Sequence, residues 1–207
     1  MRITAKAKQE VRERILTAGK DLFQSKGFSG TTTRDLSQAA GIAVGTLFNY
    51  FPNKESLGMS ILAEALERGR GRFLKEDHRI PTLEEGLFAL SASELREMRP
   101  YRAFVGPVLE TAMSPFGPSL TTGEGEQVRQ DHLETVAGMI INRRGPDAAT
   151  SVTLHLYWSL YLGVLAFWSS DESPNQEDTL AMLDQATRLF AASLSAPARD
   201  ENEGGTR

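Results

Sequence analysis

The chain has 207 residues, 40% of them hydrophobic, with a formal net charge of −4 and no cysteine. A chain of this length and apolarity has enough material for a core in one large domain or in a small domain plus a larger one. The absence of cysteine excludes disulfides, thiolate metal sites and cysteine nucleophiles. Charge is unevenly spread: residues 1–58 hold nine Lys/Arg against five Asp/Glu, a balance of +4 that leaves −8 on the remainder. A basic head on an acidic body points the head toward a polyanion.

In chain order the pattern is helical throughout. Val11, Ile15, Ala18, Leu22 and Phe23 follow the helical rule, and Gly27 is a natural stop. In "TTTRDL", Thr32 and Asp35 have capping-box spacing, with Thr31 as the alternative cap. Leu36, Ala39 and Ala40 form a short apolar face before Gly41. A longer helix is predicted from Ser56 through Ile61 and Leu66 to about Phe73, and another from the Thr82/Glu85 box to about Met98, where Arg99-Pro100 ends it. The next segment reaches Ser114, with Gly106-Pro107 expected to bend it. "SPFGPSLTTGEG" (114–125) reads as a loop. Helices follow over about 126–142, 147–169 and 177–195, and 197–207 reads as a polar, disordered tail. No period-2 alternation appears, so the predicted fold class is all-α. The domain division is a head over 1–56 and a helical body for effector binding and dimerisation over 57–196.

The stretch "AGIAVGTLFNYF" (40–51) carries no charge yet holds three aromatics. Two short helices joined by a glycine-containing turn describe a helix-turn-helix: Thr33–Ala40, then Gly41-Ile42-Ala43, then Val44 to Tyr50 or Phe51. A recognition helix must reach base edges in a groove about 12 Å wide. Ala43, Val44, Gly45 and Thr46 are small enough for close approach, and their amides face phosphate at the positive end of the helix dipole. Leu47 and Phe51 belong inward, while Phe48, Asn49 and Tyr50 project toward DNA. Asn49 offers both a donor and an acceptor to a base edge. Lys54 is expected at a phosphate.

The run from Ile15 to Leu57, "ILTAGKDLFQSKGFSGTTTRDLSQAAGIAVGTLFNYFPNKESL", resembles the tetracycline-repressor (TetR) family of bacterial regulators. The shared features, in order, are Gly27-Phe28, the Thr run, Arg34-Asp35-Leu36, Ala40-Gly41-Ile42, Gly45-Thr46-Leu47, Tyr50-Phe51 and Lys54-Glu55. The resemblance implies an all-α homodimer, one DNA-binding head per subunit, and a small-molecule effector in the body. It implies DNA contacts for Thr32, Arg34, Ala43, Val44, Gly45, Thr46, Phe48, Asn49, Tyr50 and Lys54. Two positions depart from the family pattern. Phe48 stands where a tyrosine hydroxyl usually meets phosphate, and Ala43 where a serine commonly caps the recognition helix. Repression of a pseudo-palindromic double-stranded operator, relieved by the effector, is the activity implied. A helical small-molecule binder whose head does not hold DNA is the alternative those departures leave open.

In the body, "LHLYWSLYLGVLAFW" (154–168) is apolar on nearly every side, so one stripe needs the subunit's own core and the other a partner. Leu156, Leu160, Val164 and Phe167, with Leu183 and Phe190 from the last helix, are the predicted dimer face. Phe88, Phe104, Met113, His132, Trp158 and Tyr161 are the candidate lining of an apolar or aromatic effector pocket, with His132, His155 or Ser91 as polar contacts. The 154–168 stretch is shorter than the ~20 residues of a membrane span, and no signal peptide is visible, so a cytoplasmic protein with no membrane partner is expected. No cofactor, metal site or enzymatic activity is expected either. His78, His132 and His155 lack HxxxH spacing, "GRGRF" (69–73) is no phosphate loop, and Asp131-His132 point in different helical directions.

Overall fold

A computed structural model of the chain describes residues 4–76, 80–112 and 123–194. Nine α-helices carry the described residues, and no strand occurs among them: α1 (Ala5–Ser25), α2 (Thr33–Ala39), α3 (Val44–Phe48), α4 (Lys54–Glu76), α5 (Leu83–Met98), α6 (Arg102–Ala112), α7 (Gly123–Arg144), α8 (Ser151–Ser170) and α9 (Glu177–Ser193). The all-α prediction holds. Met113 and His78, most of the expected 114–125 loop and the expected tail from residue 197 lie outside the described residues. The loop's predicted end is corrected: Gly123–Gly125 already belong to α7, whose first turn carries Glu124 and Glu126 at the positive end of the helix dipole.

Local chemistry sets most boundaries. Thr4, Thr32, Thr82 and Thr150 cap α1, α2, α5 and α8, each accepting the N–H three residues on. At Arg99-Pro100 the helix tightens into a 3-10 turn, Arg99–Tyr101, before α6 runs on through Pro107.

α4 is the axis of the molecule. It packs on α1 and α6 near its N-terminal end and also on α5 and α7, and one continuous apolar core runs from Ile15 and Leu36 through Leu62 and Leu90 to Trp168 and Phe190. The predicted division between residues 56 and 57 therefore falls inside a helix. Phe23, Phe28, Tyr101 and Phe104 form an aromatic cluster where α1 meets α6, with ring centroids 4.9–5.8 Å apart. Gly69 marks a close backbone crossing of α4 and α5. A Cβ there would lie 2.6 Å from the Glu94 Cα, and Ser93 donates a hydrogen bond to the Gly69 carbonyl at 2.9 Å. The glycine of "GRGRF" thus serves backbone approach between α4 and α5.

α8 corrects another expectation. At 20 residues it is long and apolar enough by composition to cross a membrane. Tyr157, Trp158, Tyr161, Leu165 and Trp168 nevertheless bury its inner face in the protein's own core.

Candidate nucleic-acid interface and buried polar core

The turn before α2 is built by hydrogen bonds. The buried Thr31 hydroxyl donates to the carbonyls of Gly27 (2.7 Å) and Leu22 (3.3 Å). Thr32 completes a capping box: Asp35 N–H donates to Thr32 Oγ1 at 3.1 Å, and Thr32 N–H to Asp35 Oδ2 at 2.8 Å. Lys26 Nζ lies 2.6 Å from the same carboxylate oxygen. The lysine's hydrogen bond, followed by those from Thr32, holds the Asp35 carboxyl well below the usual carboxylate range. Gly41, at φ +65°, takes the left-handed conformation that turns the chain from α2 into α3.

α3 ends two or three residues earlier than predicted, at Phe48, and the chain continues as a turn in which Tyr50 and Phe51 N–H donate to the Leu47 carbonyl. Leu47 and Phe51 are buried as expected. The outer face consists of Val44 (39% exposed), Gly45, Phe48 (47% exposed) and Asn49, with no atom near the space a Gly45 side chain would fill. Ala43 is exposed and its side chain makes no cap, as its lack of a polar atom dictates, and Thr46 is half-buried. Arg34 is exposed and makes no ion pair among the described residues. Tyr50 departs from expectation: it is half-buried and packs against the core.

Lys54 departs further. Its ammonium donates to the carbonyls of Phe28 (2.7 Å) and Thr31 (3.3 Å) and stands 4.4 Å from the Phe28 ring centroid. The geometry gives Lys54 a role in fastening the start of α4 to the turn before α2, in place of a free cation waiting for phosphate. Through Phe28 that fastening reaches the Phe23–Phe104 cluster.

The body holds a buried polar chain. Glu94 on α5 is fully buried, and its Oε1 lies 3.0 Å from His132 Nδ1 on α7. Its Oε2 accepts the Tyr161 hydroxyl at 2.7 Å. His132 Nε2 lies 3.1 Å from the Tyr157 hydroxyl, which is 3.4 Å from Ser91 Oγ. A carboxylate oxygen only accepts, so His132 carries a proton on Nδ1; in the neutral ring Nε2 then accepts from Tyr157. Burial, and after it the charge of Glu94, holds the Tyr161 hydroxyl well above its ordinary pKa. Burial is also the leading cause of the upward shift at Tyr157. His132 is ringed by Tyr161 (4.3 Å), Tyr157 (5.6 Å) and Trp158 (5.8 Å between centroids).

Of the predicted effector lining, then, His132, Trp158 and Tyr161 come together. Phe104 does not; it belongs to the aromatic cluster under the head. Phe88 is half-buried at a separate surface depression between α5 and α9, beside Arg188. His155 is exposed on α8. Sequence reasoning missed Glu94 and Tyr157. Glu94 left a trace: it continues the apolar face Leu87, Leu90, Ser91, where an acid has no place unless partnered.

The predicted dimer face divides in the same way. Leu156 (48% exposed) and Phe167 (40%) face outward and Leu160 is half-buried. Val164, Leu183 and Phe190 are corrected: they are buried within the protomer, because the helical register turns them toward α5. Val152 on α8, with Met182 and Leu189 on α9, is exposed instead.

Comparison with known proteins places these features in context. Residues 15–58 match the family described as bacterial regulatory proteins, tetR family. The HTH-type transcriptional regulator UidR of Escherichia coli K12 is 26% identical over 170 residues, covering 76% of this chain and 81% of UidR. The transcriptional repressor KstR of Rhodococcus jostii is 39% identical over 66 residues, 32% of this chain and 31% of KstR. Among solved structures, Thermus thermophilus FadR, a TetR-family repressor in complex with lauroyl-CoA, aligns with a TM-score of 0.70 at 20% identity, covering 94% of this chain and all of that one.

Proposed function

The chain belongs to the TetR family of bacterial regulatory proteins through residues 15–58, and on that footing we propose that it is a homodimeric repressor, released from a pseudo-palindromic operator by a small molecule held in its body. The observation that carries this is the outer face of α3. Val44, Gly45, Phe48 and Asn49 are exposed and uncharged on and just after a short helix packed against α2. Asn49 has the donor and acceptor to read a base edge. Arg34, exposed and unpaired among the described residues, supplies a phosphate contact.

Dimerisation follows from the outer faces of α8 and α9. Val152, Leu156, Phe167, Met182 and Leu189 form an apolar surface of the kind that associates. Two helices from each protomer make a four-helix bundle about a two-fold axis. Two heads then meet successive major grooves about 34–36 Å apart. Residues 1–56 form the DNA-binding part and 57–196 the effector and dimer part, with α4 common to both. Repression follows the named repressors among the relatives, and lauroyl-CoA in one of them supports small-molecule occupancy of such a body. A regulator of this kind works in the cytoplasm, on chromosomal DNA.

Selection from a random duplex library with the purified full-length protein tests the proposal. The expected product is an inverted repeat, and Asn49→Ala is expected to change the preferred base within each half-site. Recovery of unenriched sequence by a folded, dimeric protein would overturn the DNA-binding reading and leave only the small-molecule binder.

A further inference from the structure

α3 and the turn after it have two apolar faces, and the fold uses one of them. Leu47 and Phe51 are buried, whereas Val44 and Phe48 are exposed and neither joins the apolar core. A spacing of four sets Val44 and Phe48 side by side on the helix. Among the described residues the Phe48 ring meets no other ring and no cation. Next to Val44 stands Gly45, with no atom near the space a side chain would fill. The backbone is bare at the point of approach, and no charged residue occurs from Gly41 to Asn53.

We propose that Val44 and Phe48 together read a thymine 5-methyl group in the major groove, so that each operator half-site presents a thymine to this pair. The inference rests on the DNA-binding reading above and names the chemical group that the outer face of α3 recognises. Base edges in the major groove offer donors, acceptors and one apolar feature, the thymine methyl. A phenyl ring or isopropyl group laid over a cytosine amino group or a guanine oxygen would leave that polar atom unmatched. Laid over a methyl, the same surfaces shed water at no polar cost. The pair therefore favours thymine and disfavours the alternatives.

Three neighbours support the assignment. Phenylalanine at 48 has no hydroxyl and forms no hydrogen bond to phosphate, so its contact with DNA has to come from the ring. Gly45 lets the helix come near enough for apolar contact, ~4 Å between heavy atoms. Asn49, exposed beside Phe48, carries an amide that matches adenine, and the partner of adenine in the duplex is thymine. A methyl reader and an adenine reader at adjacent positions thus recognise the same kind of base pair.

The test replaces thymine by uracil in a selected operator, which removes the methyl and leaves every hydrogen-bonding edge as it was. Affinities of the full-length protein are measured by fluorescence anisotropy at one salt concentration, one symmetry-related pair of thymines at a time. For one such pair the replacement is expected to weaken binding about fifteenfold, or about fourfold per methyl withdrawn from water. Phe48→Ala, checked first for an unchanged melting profile, is expected to bind the thymine and uracil operators within about twofold of each other. Val44→Ala, which trims one wall of the contact, is expected to fall between the two. With a C·G pair at the same position, 5-methylcytosine is expected to bind more tightly than cytosine. An operator indifferent to uracil at every position, or a methyl effect that Phe48→Ala leaves at full size, would overturn the assignment while DNA binding stands. Uracil indifference joined to loss of the dimer in Phe48→Ala would give this face to a protein partner instead. Failure to select any operator would overturn the DNA-binding reading, and this inference with it.

Discussion

Head and body make their candidate sites in opposite ways. The head takes its candidate site from one run of chain between Arg34 and Asn49, and exposes it. The body gathers Ser91, Glu94, His132, Tyr157 and Tyr161 from three helices and buries them. An exposed surface for DNA has to be reachable and small; a buried polar group has to be matched atom by atom, because an unmatched one is costly in low dielectric. Substitutions in the head are therefore expected to act mostly on binding, and those in the body on stability.

The sharpest way to break that contrast is Glu94→Ala, which strips partners from His132 and Tyr161 at once. A loss of about 3–5 kcal/mol in urea unfolding is expected; a loss under about 1 kcal/mol would mean water enters the body freely. Gly69→Ala comes next. Its methyl would meet backbone atoms of α5, which cannot yield as a flexible side chain does. Overpacking of this kind costs about 1–3 kcal/mol, or a drop of roughly 2–4 °C in Tm per kcal/mol for a chain this size.

Lys54→Met tests the exception in the head, a side chain fastened into the fold instead of offered to DNA. With two carbonyls and a ring as partners, Lys54 is expected to contribute about 1–2 kcal/mol to stability. The slope of operator affinity against salt should stay as it is. A slope flatter by about one unit would return Lys54 to the phosphate role that its place in the sequence implies.

Asp35→Asn is the mildest. The Asp35 carboxyl titrates well below its ordinary value, so its contribution is complete above the unfolded value of about 3.9 and disappears as pH falls through the lower folded one. The Tm gap between wild type and Asp35→Asn should be constant from about pH 5 to 8 and close in acid; a gap that widens in acid would contradict the hydrogen bonds drawn around Asp35.

The same division explains what was legible in the sequence. Helix types and caps were, since Thr32, Thr82 and Gly41 act on neighbours a few residues away. The inward Leu47 and Phe51 and the outward Asn49 follow from spacing alone. Lys54 was not legible: its partners, Phe28 and Thr31, depend on how the start of α4 folds back over the earlier turn. Val164 was assigned to the dimer face because the nearly all-apolar α8 has no polar face to give its rotation away; Leu183 and Phe190 sit on the apolar face of amphipathic α9, which packs on α5 within the protomer. Phe104 and Phe88 look alike in sequence to Trp158 and Tyr161, and only packing separates them.

The Gly69 crossing has a mechanical consequence. α4 is continuous from Lys54 to Glu76, so the distance from the crossing to the start of the helix is about 15 residues, or ~22 Å at ~1.5 Å each. A tilt of ~5° about that point would swing the Lys54 end by ~2 Å, and Lys54 ties that end to the turn before α2, on which α3 packs. Because a glycine there brings the two backbones together without a cushioning side chain, any displacement of α5 at Glu94 is delivered to α4 undamped. Two such arms in a dimer would change the span between recognition helices by up to twice that distance.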